Sequence, residues 1–352
     1  MLALTMIIFS CGENVITEPL EYDGTPYVFE HKGLPNPELP LDNALSIEGV
    51  KLGRMLFYEE SLSKNNLISC ANCHLQKDGF SDLNQFSKGT DGFLGKRHAM
   101  PVFNMAWHNN GFFWDGRAPK LRDQALKPIQ DKLEMNESLP NVISKLSKLE
   151  KYKDQFTRAF VNGKIDELNI SLALEQFMFS IVSNESKYDR FLKNQVQLSP
   201  EEERGRKMFF AEFDPTGKIK GAECFHCHGG PNFTNDEYMN NGLDNEANMK
   251  DIGRSMVTMS ESDKGKFHTP SLRNIEYTPP YMHDGRIKTL EEVVDHYNFG
   301  VESSPTVDVL LQYNLQPGGL GLTIQDQLDL IAFLKTLSDP NFLVNPNFSK
   351  LK

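Results

Sequence analysis

The chain has 352 residues, of which 39% are hydrophobic, 10% aromatic and 24% charged; this is a globular composition, neither fibrous nor disordered, and the length suits about two domains. Lys and Arg number 37 against 48 Asp and Glu, a net charge of −11. An acidic chain repels phosphate, which argues against nucleic acid as a partner.

At the N-terminus, Leu4 to Phe9 is apolar but for Thr5 and too short to span a bilayer. Residues 1–10 end in Ile8-Phe9-Ser10 before Cys11, a pattern that resembles a bacterial lipoprotein signal with Cys11 as the lipidated first residue of the mature chain. The departure is that no Lys or Arg precedes the apolar stretch. A lipid on Cys11 would be the only membrane attachment; a frayed terminus with an inert Cys11 is the alternative. Residues 11–40 are rich in Pro, Glu and Gly and are expected to form a tether or surface arm.

Helix signals then recur along the chain. Ser46 opens a pattern through Val50, Leu52 and Leu56. Residues 165–182 are helical in pattern. Ser199-Pro200-Glu201-Glu202 is a capping box with Pro at the first helical position. Thr323 to Asp326 starts a last helix with Ile324, Leu328, Ile331, Leu334 and Leu337 on one face. Strand signals are few. The expected fold is all-α with long Gly-rich loops.

Two stretches repeat one another. Gly53-Arg54-Met55-Leu56-Phe57 precedes Cys70-Ala71-Asn72-Cys73-His74, and Gly205-Arg206-Lys207-Met208-Phe209 precedes Cys224-Phe225-His226-Cys227-His228. Phe80-Ser81-Asp82 matches Phe233-Thr234-Asn235, and Pro101 to Asn104 matches Pro270 to Asn274. Asp115-Gly116-Arg117 with Leu121 matches Asp284-Gly285-Arg286 with Leu290 at the same spacing. A duplicated unit explains this order better than chance.

Cys11 apart, the cysteines form two Cys-x-x-Cys-His strings, which leaves no disulfide framework. In such a string each thiol forms a thioether with a haem vinyl group and the His supplies the proximal iron ligand. A zinc site leaves the His after each pair unexplained, and a redox dithiol lacks its βαβ context. Two covalently bound haems c are expected, attached outside the cytoplasm.

The repeat also addresses the second axial positions. Seven residues after Leu290 lies Tyr297; seven after Leu121 lies Pro128. Proline cannot ligate iron, so superposed repeats give one open haem and one closed by an oxygen ligand. An open site for peroxide needs an acid–base group, and Glu134 and Gln124 flank Pro128. Glu134 alone also fits a surface carboxylate.

Phe112-Phe113-Trp114-Asp115-Gly116-Arg117, followed by Gln124, Pro128 and Glu134-Met135, together with both haem strings, resembles the bacterial dihaem cytochrome c peroxidase/MauG family over roughly residues 40–340. The resemblance implies two cytochrome c-like domains. Residues 41–198 would form a peroxidatic domain on Cys70, Cys73 and His74, with Gln124, Pro128 and Glu134 at its distal pocket and Glu134 as the acid–base residue. Residues 199–322 would form an electron-transfer domain on Cys224, Cys227 and His228. Trp114 would carry electrons between the haems. Helix 323–340 would pack back on the first domain. A calcium ion between the domains would take the Thr278 and Pro280 carbonyls, with His98 where an Asn usually helps. Tyr297, where better-known peroxidases carry Met, is the MauG-like choice for the second iron. Adjacent His296 is its rival, read as an exposed helix residue.

The leading expectation is peroxide reduction with electrons from a small periplasmic cytochrome c or cupredoxin. The alternatives are MauG-like oxidation of a partner protein and a non-catalytic dihaem carrier. The segment Leu75 to Arg97 holds no His to block the first iron, which predicts a first haem open without reductive activation; His98 on the iron would contradict this. Many relatives are homodimers, but no interface signature is visible.

Overall fold

The computed structural model describes residues 20–28 and 30–351. Cys11 and the signal-like stretch lie outside them. The helices are α1 (Ile47–Phe57), α2 (Leu121–Ala125), α3 (Lys127–Gln130), α4 (Leu139–Leu146), α5 (Glu150–Ala159) and α6 (Glu167–Ser180). They continue with α7 (Lys187–Leu192), α8 (Pro200–Phe209), α9 (Ser255–Thr258), α10 (Leu290–Asp295) and α11 (Ile324–Lys335). Tyr238–Met239 and Phe267–His268 pair antiparallel as a minimal sheet.

The caps act as the sequence predicts. Ser46 accepts from the Gly49 N–H, and Ser199 and Thr323 form capping boxes with Glu202 and Asp326. Each reciprocal cap satisfies two backbone donors that a helix start leaves without partners.

The repeat has a physical basis in two close helix pairs. α1 packs on α6 and α8 on α11. A Cβ built on Gly53 would lie 1.9 Å from the Ala173 carbonyl of α6; one on Gly205 would lie 1.9 Å from the Asp329 carbonyl of α11. Only glycine allows backbones this near, so the two Gly-Arg strings mark the two helix crossings.

This corrects one expectation. The last helix does not return to the first repeat. Leu330, Ile331, Phe333, Leu334 and Leu337 join Met208, Phe209 and Phe233 in the second hydrophobic core, because the Gly205 contact holds α11 on α8. The segment after it makes the return. Phe342 and Phe348 enter the first core with Phe57, Phe80 and Phe177, and Arg54 Nε donates to the Ser349 carbonyl at 2.5 Å.

The loops repeat as well. Phe80 and Phe233, Asn104 and Asn274, Phe113 and Met282, and Gly116 and Gly285 all take positive φ. Isolated antiparallel bridges join Phe112 to Ala118 and Tyr281 to Ile287. These paired backbone kinks set the loops from which the site is built.

Candidate active site

Both Cys-x-x-Cys-His strings fold alike. Cys70–Asn72 and Cys224–His226 are single 3-10 turns. The His74 N–H donates to the Cys70 carbonyl at 3.0 Å, and the His228 N–H to the Cys224 carbonyl at 2.9 Å. Each ring is then held by Nδ1, His74 on the Phe80 carbonyl at 3.1 Å and His228 on the Phe233 carbonyl at 3.3 Å. The positive φ at Phe80 and Phe233 turns these carbonyls to the rings. An Nδ1–H donated this way leaves a bare lone pair on Nε2, the form an iron ligand needs. Burial lowers both pKa values, His228 to about 4, so both rings stay neutral near pH 7. Among the described residues, neither Cys pair belongs to a group of three or more protein ligands close enough to hold a metal ion. The strings therefore fit haem attachment and not a zinc site.

In the second repeat, Cys224, Cys227 and His228 open on a cavity of about 1490 Å³, its mouth included, whose lining also holds Trp114, Met282 and Tyr297. Its walls are predominantly apolar, as a porphyrin requires. Tyr297 rides on a π-helical turn, His296–Gly300, that continues α10; such wide turns are frequent at functional sites. Its carbonyl accepts from Asn314 Nδ2. Its hydroxyl is 3.5 Å from Asn241 Nδ2, which also lies 3.2 Å from Met282 Sδ. Burial pushes the phenol up to about 12, with the Asn241 amide acting in the opposite direction. His296 is buried rather than exposed, a second correction. Its Nε2 lies 3.0 Å from the Asn241 carbonyl, and it does not line the cavity.

In the first repeat, Pro128 has no N–H to continue the helix begun at Leu121, so the segment splits into α2 and α3. The chain then turns back. The Met135 N–H donates to the Pro128 carbonyl at 3.1 Å and the Glu137 N–H to the Ile129 carbonyl at 2.8 Å. The Glu134 carbonyl accepts from the Thr90 N–H at 2.7 Å. A Cβ on neighbouring Gly89 would lie 2.0 Å from the Leu133 carbonyl, so two loops clamp Glu134. Burial first, then Asp131, raise its carboxyl to about 7, while Arg117 acts the other way. Its charge is felt at both Cys70 and Cys73. Gln124 and Pro128 are half-buried beside it in sequence.

Trp114 lies at the seam. It is buried, lines the second cavity and donates from Nε1 to the His98 carbonyl at 2.8 Å. Its own carbonyl accepts from the His268 N–H at 2.8 Å. Arg97 fixes the neighbourhood, 2.6 Å from Asp115 and 2.7 Å from Asp251 of the second repeat. Trp107, by contrast, is half-buried and donates from Nε1 to the Pro35 carbonyl at 2.8 Å.

His98 is buried, and neither ring nitrogen has a hydrogen-bond partner. Burial lowers its pKa to about 4, with Asp82 opposing and His74 reinforcing the shift. Its N–H donates to the His283 carbonyl at 2.8 Å. His283, which aligns with Trp114, stacks on Phe267 with ring centroids 3.6 Å apart. Thr278 and Pro280 pack on Gly79 and Gly285 in the same seam. Calcium takes oxygen ligands, and His98 offers nitrogen where an amide oxygen is expected. The Thr278 and Pro280 carbonyls are oxygen donors and His98 is not, and no step is assigned to calcium.

A family model described as di-haem cytochrome c peroxidase matches residues 47–197. The methylamine utilization protein MauG of Methylophilus methylotrophus is 34% identical over 304 residues, covering 85% of this chain and 84% of that protein. The cytochrome c551 peroxidase of Nitrosomonas europaea is 32% identical over 298 residues, covering 83% and 81%. The chain belongs to the di-haem cytochrome c peroxidase family. A solved MauG-like protein associated with microbial copper homeostasis superposes with a TM-score of 0.81 at 31% identity, covering 91% of this chain and 98% of that one. The chain is thus an oxidoreductase of this family with two covalently bound c-type haems.

The structure also shows residues that sequence inspection passed over. Asn241 carries no motif, yet its amide and carbonyl organise Tyr297, Met282 and His296. His108 and His268 carry no motif either, and the fold stacks their rings at the seam. No local pattern marks such residues, because their partners are far away in sequence.

Proposed function

We propose that peroxide reacts at the first repeat and that the second repeat passes electrons to it through Trp114. The carrying observation is Glu134, a half-buried carboxyl titrating near 7 whose charge is felt at Cys70 and Cys73. A group with that pKa holds or releases a proton near neutral pH, which suits moving a proton between the two oxygens of peroxide. A haem held at Cys70, Cys73 and His74 would supply the electron exchange needed to cleave the O–O bond. Glu134 is the residue that takes a proton from the near oxygen and returns it to the leaving one. Gln124 would orient peroxide, and Pro128 offers no atom that could ligate a haem iron held by His74. His74 and His228 would hold the haem irons through Nε2.

Each repeat is read as one cytochrome c-like domain. The donor is a small cytochrome c or cupredoxin; the net charge of −11 favours one with a basic face. The location is the periplasm, with Cys11 as the lipid anchor.

Tyr297 supports a second reading, MauG-like oxidation of a partner protein. Its hydroxyl lies in the second cavity, and His296 is engaged with the Asn241 carbonyl. A tyrosinate ligand stabilises ferric iron and lowers the potential of that haem.

The test is to add hydrogen peroxide to the fully oxidised, haem-loaded protein without reductant and follow the haem absorbance on the millisecond scale. An immediate change is expected for an open first haem. No reaction until one electron per molecule is supplied would overturn the open site and point to His98 as the blocking group. Reduced cytochrome as co-substrate then separates peroxide reduction from protein oxidation.

A further inference from the structure

His108, Asp236 and His268 meet at the seam between the repeats. His108 Nδ1 is 3.4 Å and His268 Nε2 is 2.7 Å from the same oxygen, Asp236 Oδ1. All three ligand atoms lie within 4.8 Å of one another. The other carboxylate oxygen accepts from the Asn109 and Asn110 N–H groups at 2.7 and 3.1 Å, which fixes Asp236. The side chains of His108, His268 and Asp236 are 7%, 1% and 19% exposed.

The unusual atom is His268 Nδ1. It is buried without a hydrogen-bond partner, in a side chain that lines the second haem cavity. With the ring proton on Nε2, the ring donates to Asp236 Oδ1 at 2.7 Å and Nδ1 is left without a partner. With the proton on Nδ1 instead, Nε2 presents a lone pair beside the carboxylate, and a cation held by both would replace that hydrogen bond. His108 brings a third lone pair to the same place. It does not supply the cation itself, because burial, reinforced by His268, lowers its pKa to about 3.

We propose that His108, Asp236 and His268 bind one divalent transition-metal ion of borderline character, of which Zn2+ is the probe. Two imidazoles and a carboxylate are a zinc-type donor set, with a fourth position left for water. The two backbone N–H groups on Asp236 are the supporting contacts such a site needs. The ion would tie the loop that leads into Trp114 to the second repeat. The site is one hydrogen bond from Trp114, since the His268 N–H donates to the Trp114 carbonyl.

The test uses the haem-loaded protein, stripped with a chelator and dialysed to equilibrium against micromolar Zn2+, with zinc counted against the haem iron. One zinc per chain is expected, held at least tenfold more weakly in His108→Gln and Asp236→Asn. Glu212→Gln, in the separate Glu212, Glu223 and His226 cluster, should leave the count unchanged. X-ray absorption at the zinc edge should show only nitrogen and oxygen ligands, with imidazole scattering. If Asp236→Asn fails to load haem, His108→Gln and the absorption spectrum decide. Zinc that is absent, equal in wild type and His108→Gln, or lost with Glu212→Gln would overturn the proposal and leave the cluster a proton-sharing triad.

Discussion

Replacing Glu134 with Gln removes the charge while keeping the shape, and the structure predicts opposite effects on activity and stability. The Glu134 carboxyl titrates near 7 in the folded chain against an ordinary value of 4.5, mainly because burial penalises the charged form. Its folded pKa is raised, so stability falls as pH rises from 4.5 to about 7. At roughly 1.4 kcal/mol per unit, the ionised carboxylate costs the fold up to about 3 kcal/mol at pH 8. Glu134→Gln is therefore expected to be more stable than wild type by up to about 3 kcal/mol at pH 8 and equal to it at pH 4. Peroxide turnover should fall by about 10²–10⁴-fold, the usual worth of a positioned acid–base group. Denaturant unfolding at the two pH values and stopped-flow peroxide reaction of the haem-loaded variant measure both. Turnover within twofold of wild type, or a stability difference that does not change with pH, would refute the reasoning.

Other perturbations test neighbouring links. Trp114→Phe keeps an aromatic ring but loses the Nε1 bond to His98; electron transfer from the second haem to the first should slow at least tenfold by stopped flow, with a stability cost of about 1 kcal/mol. Tyr297→Met should raise the midpoint potential of the second haem in a spectroelectrochemical titration, since thioether stabilises ferrous and phenolate ferric iron; an unchanged potential would remove Tyr297 from that iron. Gly205→Ala places a methyl group 1.9 Å from the Asp329 carbonyl; it should force α8 off α11 and cost at least about 1–3 kcal/mol in thermal unfolding. Gly53→Ala should do the same to the α1–α6 pair.

Haem attachment, the repeat, the helix caps and the contrast between Pro128 and Tyr297 were legible in the amino-acid sequence. Each depends on local spacing. Thioether attachment needs two thiols and an imidazole within five residues, a cap needs an acceptor three residues from its donor, and a proline lacks its N–H in any surroundings. Tertiary structure alone decided the rest. The apolar face expected for α11 is buried at Ile331, Leu334 and Leu337 but exposed at Ile324 and Leu328, and the Gly205 crossing, more than a hundred residues away, sends it to α8. His296 looked like an exposed helix residue until the π turn and Asn241 buried it. Glu134 acquires its pKa from burial that no neighbour in sequence announces, and His108, Asp236 and His268 converge only because the two repeats meet. Burial and convergence are properties of the folded surface, and contacts between distant segments leave no spacing in the chain to be read.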